Sequence, residues 1–323
     1  DPAIKAPSPK RFILGNWIYG PLKGLKSDLI SRFILDFKAA GFNRLLGGSP
    51  PQFNAIHAAG TEAGIPFWGN TGTSLVSNAF NYYGSLSPDE KARGAWKLYG
   101  KKGHTNSKTL CPEYICSDEF FQKLVATATD LLSNLTHHFY ANWEPGVIYG
   151  GQGCVCDRCK TAFGNYISEK LGPKEREGLT AEKIDGFWPE VPETNRKLYK
   201  QFISYQHGRC VLVYQHAVRK AGDALKLDYK PHHIISISPK ILTPDSIMAR
   251  VMDPRLFLDG VDQVVLWSNY GIPPGGTKPA LILGDNNGTA HIMDRASTFL
   301  ESIRKKSGKL QNTKLVYMTA LDG

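Results

Sequence analysis

Short apolar runs alternate along this chain with stretches in which apolar residues recur every three or four positions, the mark of strands interleaved with amphipathic helices. Arg11 to Trp17 (RFILGNW) predicts a first strand. From Ser27 to Ala40, Leu29, Ile30, Phe33, Ile34 and Phe37 share one helical face, and Gly41 stops the helix. Phe42 to Leu46 predicts strand two, Gln52 to Ala63 a helix, and Ile65 to Asn70 strand three. Thr71 to about Lys108 is rich in Gly, Asn, Ser and Tyr and predicts a long irregular loop of the kind that builds a binding face. Ser117 then caps a helix reaching Leu132, and His138 to Ala141 gives strand four. From Cys159 to Gly222 the pattern is helical or irregular, with Asn195 to Ala221 as one long helix, and strands resume at His233 to Ser238 and Gln263 to Trp267.

The last quarter has two readings. Ala280 to Leu283 (ALIL) is a seventh strand and Leu315 to Thr319 (LVYMT) the eighth, or ALIL is loop and LVYMT is strand seven. Few residues, rich in Gly and Pro, separate Trp267 from Ala280, whereas a parallel crossover needs about a dozen or more. The second reading is therefore preferred, and it puts the eighth unit outside this sequence. No Gly-x-Gly-x-x-Gly follows a strand, which argues against a dinucleotide-binding sheet. The expected fold is a (β/α)8 TIM-type α/β barrel, one domain over residues 1–323 with an excursion at about 105–190 and its last β/α unit beyond Gly323.

Composition narrows the partners. With 323 residues, 41% hydrophobic and 21% charged, the chain suits one large globular domain. No run approaches the roughly 18 apolar residues of a membrane span. The net charge of +10 is scattered, and its densest run, Arg304-Lys305-Lys306, falls at a predicted helix end where the dipole favours cations, so neither nucleic acid nor membrane is expected. The opening DPAIKAPSPK reads as a Pro-rich leader left by processing, and a secreted or periplasmic location is expected ahead of a cytoplasmic one. Oligomeric state is not legible.

Carbohydrate is the expected substrate. Aromatic and amide residues recur at predicted strand ends: Asn16-Trp17, Trp68 with Asn70, Asn142-Trp143, and Trp267 with Asn269 and Tyr270. Sugars present flat C–H faces rimmed by hydroxyls, which suit aromatic platforms flanked by amides and carboxylates. Trp17, Trp68, Trp143, Trp267 and Tyr270 are expected to line one cleft. Strand four ends in Asn142-Trp143-Glu144-Pro145, which makes Glu144 the first candidate for acid–base chemistry on the catalytic face of a barrel. Glu113, Glu119 and Glu169 lie in or beside helical patterns and read as surface charges.

Cysteines supply the second signal. Cys154, Cys156 and Cys159 crowd into six residues, and Cys111 precedes them, giving four thiols of the type that closes a tetrahedral structural zinc site. Disulfides are the poorer reading, since bridges in so short a loop are strained, and free thiols the third. Cys116 is the alternative fourth ligand, and Cys210 reads as a buried helix residue.

These residues resemble the family 42 glycoside hydrolases, β-galactosidases of clan A. The resemblance rests on Cys111-Pro112 with Ser117, a helix, a strand ending in Asn142-Trp143-Glu144, Cys154-Val155-Cys156-Asp157-Arg158-Cys159 with Phe163, Leu179 with Phe187-Trp188, and Leu258 to Tyr270 as a sixth strand. It implies a retaining hydrolase of a β-linked, galactoside-like oligo- or polysaccharide, with Glu144 as acid/base. Here Trp143 separates Asn142 from Glu144, so the two fall on one side of a strand rather than opposite sides. The family's nucleophile is a Glu at the end of strand seven, whereas LVYMTALDG offers only Asp322. A carboxylate beyond Gly323 ranks ahead of Asp322, and Asp322 ahead of Asp285. Two other readings stay open: a carbohydrate-binding barrel without turnover, and a substrate-assisted hydrolase of N-acetylated sugars in which Asn142 orients the acetamido group and Glu144 protonates the leaving oxygen.

Overall fold

The structure, a computed structural model, describes residues 15–17, 24–47, 52–72, 86–97, 105–143, 153–154, 156–170, 172–176, 193–237, 260–268, 298–306 and 313–319. Seven strands form one all-parallel sheet in the order β1 (Gly15–Trp17), β2 (Arg44–Gly47), β3 (Phe67–Gly72), β6 (His138–Trp143), β7 (His233–Ile237), β8 (Gln263–Ser268) and β9 (Lys314–Thr319). These are the strands that the apolar runs predict, with Lys314–Thr319 as the seventh of the sheet. The ALIL segment lies outside the described residues, and no pairing joins β9 to β1 among those described.

The helices between the strands follow from local chemistry. In α1 (Ser27–Ala39), Ile30, Ile34 and Phe37 recur at helical spacing and are buried, while Leu29, expected on the same face, is 46% exposed. Gly41 and Gly64 end α1 and α2 (Phe53–Ala63) at φ values of 92° and 67°, which glycine reaches without a Cβ penalty. The Ser117 hydroxyl accepts from the Phe120 N–H at the start of α5 (Asp118–Asn134). After the short helix α7 (Pro173–Arg176), the long helix α8 (Glu193–Ala224) runs slightly beyond its predicted ends.

The expected irregular loop at 71–108 is partly ordered. It holds α3 (Pro88–Gly94), opened by a capping box between Ser87 and Glu90, and an antiparallel pair, β4 (Ala95–Lys97) with β5 (Thr105–Leu110).

Sheet residues alternate between two buried layers, as a strand covered on both faces requires. Leu45 and Phe67 pack under α1 and α2, and Phe139 packs with Ala128 and Leu132 of α5 and Val218 and Ala221 of α8. Their sequence neighbours Leu46, Trp68 and Tyr140 join Ile234 and Val265 in a separate cluster on the opposite face. Helices outside, a bulky apolar layer inside and strands in sequential parallel order make an α/β barrel-like fold.

Histidines tie the strand starts together. The Phe67 N–H donates to His137 Nδ1 at 2.9 Å, and the His232 N–H donates to His138 Nδ1 at 3.0 Å. The Gln263 amide meets His232 Nδ1 at 2.6 Å. Backbone N–H groups donate to Nδ1 of His137 and His138, so these two rings are neutral with the hydrogen on Nε2. Burial is the main cause that pushes His137 and His233 down to about 4 and His138 well below its ordinary value. The folded state refuses protons that the unfolded chain takes up below about 6.5. Their contribution to stability is thus full above that pH and is lost as pH falls toward 4. The melting midpoint should be lower at pH 4.5 than at pH 7. An unchanged midpoint in calorimetry at the two pH values would count against this role.

Candidate functional site

Two regions concentrate the candidate chemistry: the C-terminal edge of the parallel sheet and a buried group of cysteines in the core cluster that also holds Ile235 and Val264. Because all seven strands run the same way, their last residues meet on one edge. Asn16 and Trp17 end β1, Asn70 lies in the second half of β3, Asn142 and Trp143 end β6, and Trp267 is next to last in β8. In register, Trp17 pairs with Leu46, Asn142 with Ser236, Trp143 with Ile237 and Trp267 with Met318. Asn70 pairs with Tyr140 beside a register shift before Gly72, the local irregularity by which a strand end is re-aimed. Glu144, Asn269, Tyr270, Asp285 and Asp322 lie outside the described residues, as do Leu179, Phe187 and Trp188.

Trp68 departs from its expected place in the cleft. It is 1% exposed and packs with Leu46, Tyr140, Ile234 and Val265 in the barrel's interior layer. The strand extends through Gly72, so Trp68 is its second residue rather than its end. Its indole N–H is buried with no hydrogen-bond partner among the described residues, but the ring's contacts make it a core residue.

The four cysteines Cys111, Cys154, Cys156 and Cys159 converge as their spacing predicts. All are buried, and their sulfurs lie within 4.8 Å of one another. Cys111 Sγ is 3.4 Å from both Cys156 Sγ and Cys159 Sγ, far beyond the ~2.05 Å of a disulfide. Four sulfurs bound tetrahedrally at about 2.3 Å stand about 3.8 Å apart, so the group fits a metal ion of that geometry. Cys111 caps the short helix α4 (Pro112–Ile115), and its N–H is held by the Gly94 carbonyl at 2.7 Å. Cys159 lies in the first turn of α6 (Asp157–Lys170). Gly153 donates to the Tyr199 hydroxyl at 3.0 Å, and any Cβ there would overlap that hydroxyl. This contact fixes the approach of Cys154.

The thiols perturb one another. Hydrogen bonding with Cys111 pulls Cys154 and Cys156 down, while hydrogen bonding within the group pushes Cys111 and Cys159 up. Four like charges cannot gather in so small a buried space unless a cation compensates them, and a metal ion bound there would supply that charge.

A supporting shell escaped the sequence reading. Glu113 follows Cys111-Pro112, and its side chain is 12% exposed rather than a free surface charge. Both of its oxygens accept from Arg209 Nη1 at 3.0 Å, and Gln206 Nε2 donates to Glu113 Oε1 at 2.9 Å while standing 3.5 Å from Cys159 Sγ. Gln206 thus bridges a ligand-type sulfur and the carboxylate beside Cys111. These partners are about a hundred positions apart in sequence, and no local pattern joins them. Glu119 is the surface charge expected, paired with Arg93 at 2.7 Å.

Fold and site together define an α/β barrel-like protein with a buried four-cysteine cluster on its flank. Among solved structures the chain is similar to the PgaB (BpsB) glycoside hydrolase domain from Bordetella bronchiseptica, with a TM-score of 0.55, 13% sequence identity, and coverage of 94% of this chain and 82% of that one. No family model and no curated protein matches the sequence.

Proposed function

We propose that this chain is a glycoside hydrolase acting on a β-linked, galactoside-like saccharide with retention of configuration. The observation that carries the reading is the gathering of Asn16, Trp17, Asn70, Asn142, Trp143 and Trp267 near the C-terminal ends of four strands of one parallel sheet. That edge is where α/β barrels build their active sites. Likeness in fold to a glycoside hydrolase domain adds support of the same kind.

Glu144 immediately follows β6, and strand periodicity of two relates it to Asn142 and to the buried Tyr140. In this reading Glu144 protonates the leaving oxygen and then activates the water that releases the sugar. A second carboxylate attacks the anomeric carbon from about 5 to 5.5 Å away, and Asp322 is a candidate for it. Asn142, Trp17, Trp143, Trp267, Asn269 and Tyr270 bind the sugar through amide hydrogen bonds and ring faces. Cys111, Cys154, Cys156 and Cys159 hold one zinc, which braces the segment after β6. Four thiolates leave no open position for water, so the ion is structural.

A panel of aryl glycosides tests this. Release of the phenol from β-galactosides or related β-glycosides, without need of an N-acetyl group, is the expected result. Turnover confined to N-acetylated substrates would replace the two-carboxylate mechanism with a substrate-assisted one. Saturable sugar binding without turnover would leave a carbohydrate-binding barrel.

A further inference from the structure

The two cysteines outside the metal-type cluster form a site of their own. Cys116 and Cys210 stand 94 positions apart in sequence, yet their sulfurs are 4.0 Å from each other. Both are anchored to one carbonyl: the Cys116 N–H donates to Pro112 O at 3.0 Å, and the Cys210 thiol approaches the same oxygen at 3.7 Å. Cys116 is also the residue that ends α4, so the short helix delivers Cys111 to the cluster at one end and Cys116 to Cys210 at the other.

We propose that Cys116 and Cys210 are a redox pair that closes into a reversible disulfide, clasping α4 to α8, when the protein meets a small-molecule disulfide oxidant. The sulfurs lack roughly 2 Å of the bonded distance, which is within the swing of a thiol between rotamers. Of the six cysteines, Cys116 is the one that is not buried, so the oxidant reaches it first. The Cys116 thiol is shifted down by its hydrogen bond with Cys210 and by the Arg209 guanidinium, which favours the attacking thiolate.

The chemistry balances in two steps. The Cys116 thiolate attacks one sulfur of the small disulfide, forming a mixed disulfide and expelling one thiolate of the oxidant. Cys210 then attacks the Cys116 sulfur, gives up its proton and expels the second thiolate. The protein pair loses two electrons and two protons, and the oxidant is reduced to two thiols. On the metal reading proposed above, the other four sulfurs would be withheld as ligands.

The test uses the purified, metal-loaded protein and oxidised glutathione. Thiols are counted under denaturing conditions with chelator, and peptides are mapped by mass. The count should fall from six to four, with a loss of two hydrogen masses on the peptide pair joining Cys116 to Cys210, full metal retention, and recovery on adding reductant. Cys210→Ser should accumulate the mixed glutathione adduct on Cys116, and Cys116→Ser should keep all five of its thiols. A count that stays at six, or missing thiols that map to Cys111, Cys154, Cys156 or Cys159, would overturn the proposal. Cys116 is partly exposed, and equal melting midpoints of Cys116→Ser and wild type check that the comparison is made between folded proteins.

Discussion

Cys159→Ser should strip the metal and lower the melting midpoint by on the order of 10 °C or more. Cys159 is 0% exposed, and its sulfur lies 3.4 Å from Cys111 Sγ and 3.5 Å from the Gln206 amide, so the substitution strikes the middle of the group. Structural zinc supplies about 10–16 kcal/mol of apparent binding energy in small domains, comparable to the whole ~5–15 kcal/mol that separates a folded domain from its unfolded chain. Here the cluster belongs to a larger core that includes Tyr114, Phe120, Leu124, Tyr214, Ile235 and Val264, so the barrel keeps other support. Losing even about 5 kcal/mol of that energy moves the midpoint by about 10–20 °C for a domain of moderate size. Elemental analysis beside calorimetry reads both effects. Cys116→Ser serves as the control, since Cys116 stands apart from the four-sulfur group and its loss should leave metal content unchanged. Equal metal and equal midpoints in Cys159→Ser and wild type would remove the structural-metal reading.

Glu144→Gln should abolish most turnover of substrates with poor leaving groups while sparing binding. A general acid contributes roughly 10²- to 10⁴-fold by donating a proton as the glycosidic bond breaks. The amide keeps the shape of the carboxyl but has no such proton to give. Aryl glycosides whose phenols leave without protonation should therefore lose much less in the first chemical step than those with alkyl or unactivated phenyl groups. A steep new dependence of kcat/KM on leaving-group acidity, seen across a series of substituted phenyl β-glycosides, is the expected signature. A uniform loss across the series would assign Glu144 a positioning role instead.

The frame of the barrel is legible in the sequence because strands covered on both sides need continuous apolar runs. Leu45-Leu46, Phe139-Tyr140, Ile234-Ile235 and Val264-Val265 each place one residue under the helices or the outer core and one inside the sheet. Gly41 and Gly64 mark helix ends by their conformation alone. The segment at 71–108 reads as loop because it is rich in Gly, Asn, Ser and Tyr, yet Ser87-Pro88-Asp89-Glu90 is a capping-box sequence that announces α3. Leu29 shows the weakness of counting faces, since a residue at the margin of the apolar stripe is exposed. Trp68 shows another, because its place depends on how far β3 continues, and a few residues of extra strand turn a rim position into an interior one.

All four cysteines of the cluster are named by the sequence, three by their tight spacing and Cys111 by preference over Cys116, which no local pattern separates from it. Cys111 and Cys116 lie on the same short helix, and only the tertiary approach of α8 decides that Cys116 faces Cys210 while Cys111 turns to the cluster. Glu113 is misread for the same reason, since its partners Gln206 and Arg209 come from α8, more than ninety positions away in sequence.

Azide rescue of Glu144→Ala bears most directly on the central claim that this barrel is a retaining hydrolase with Glu144 as its acid/base. With an activated aryl β-galactoside, the variant should turn over slowly in water, accelerate on addition of sodium azide, and yield a glycosyl azide of β configuration, because the small anion needs no general base to attack the sugar on the intermediate. Hydrolysis by Glu144→Ala at the wild-type rate, with no azide product, would contradict the account.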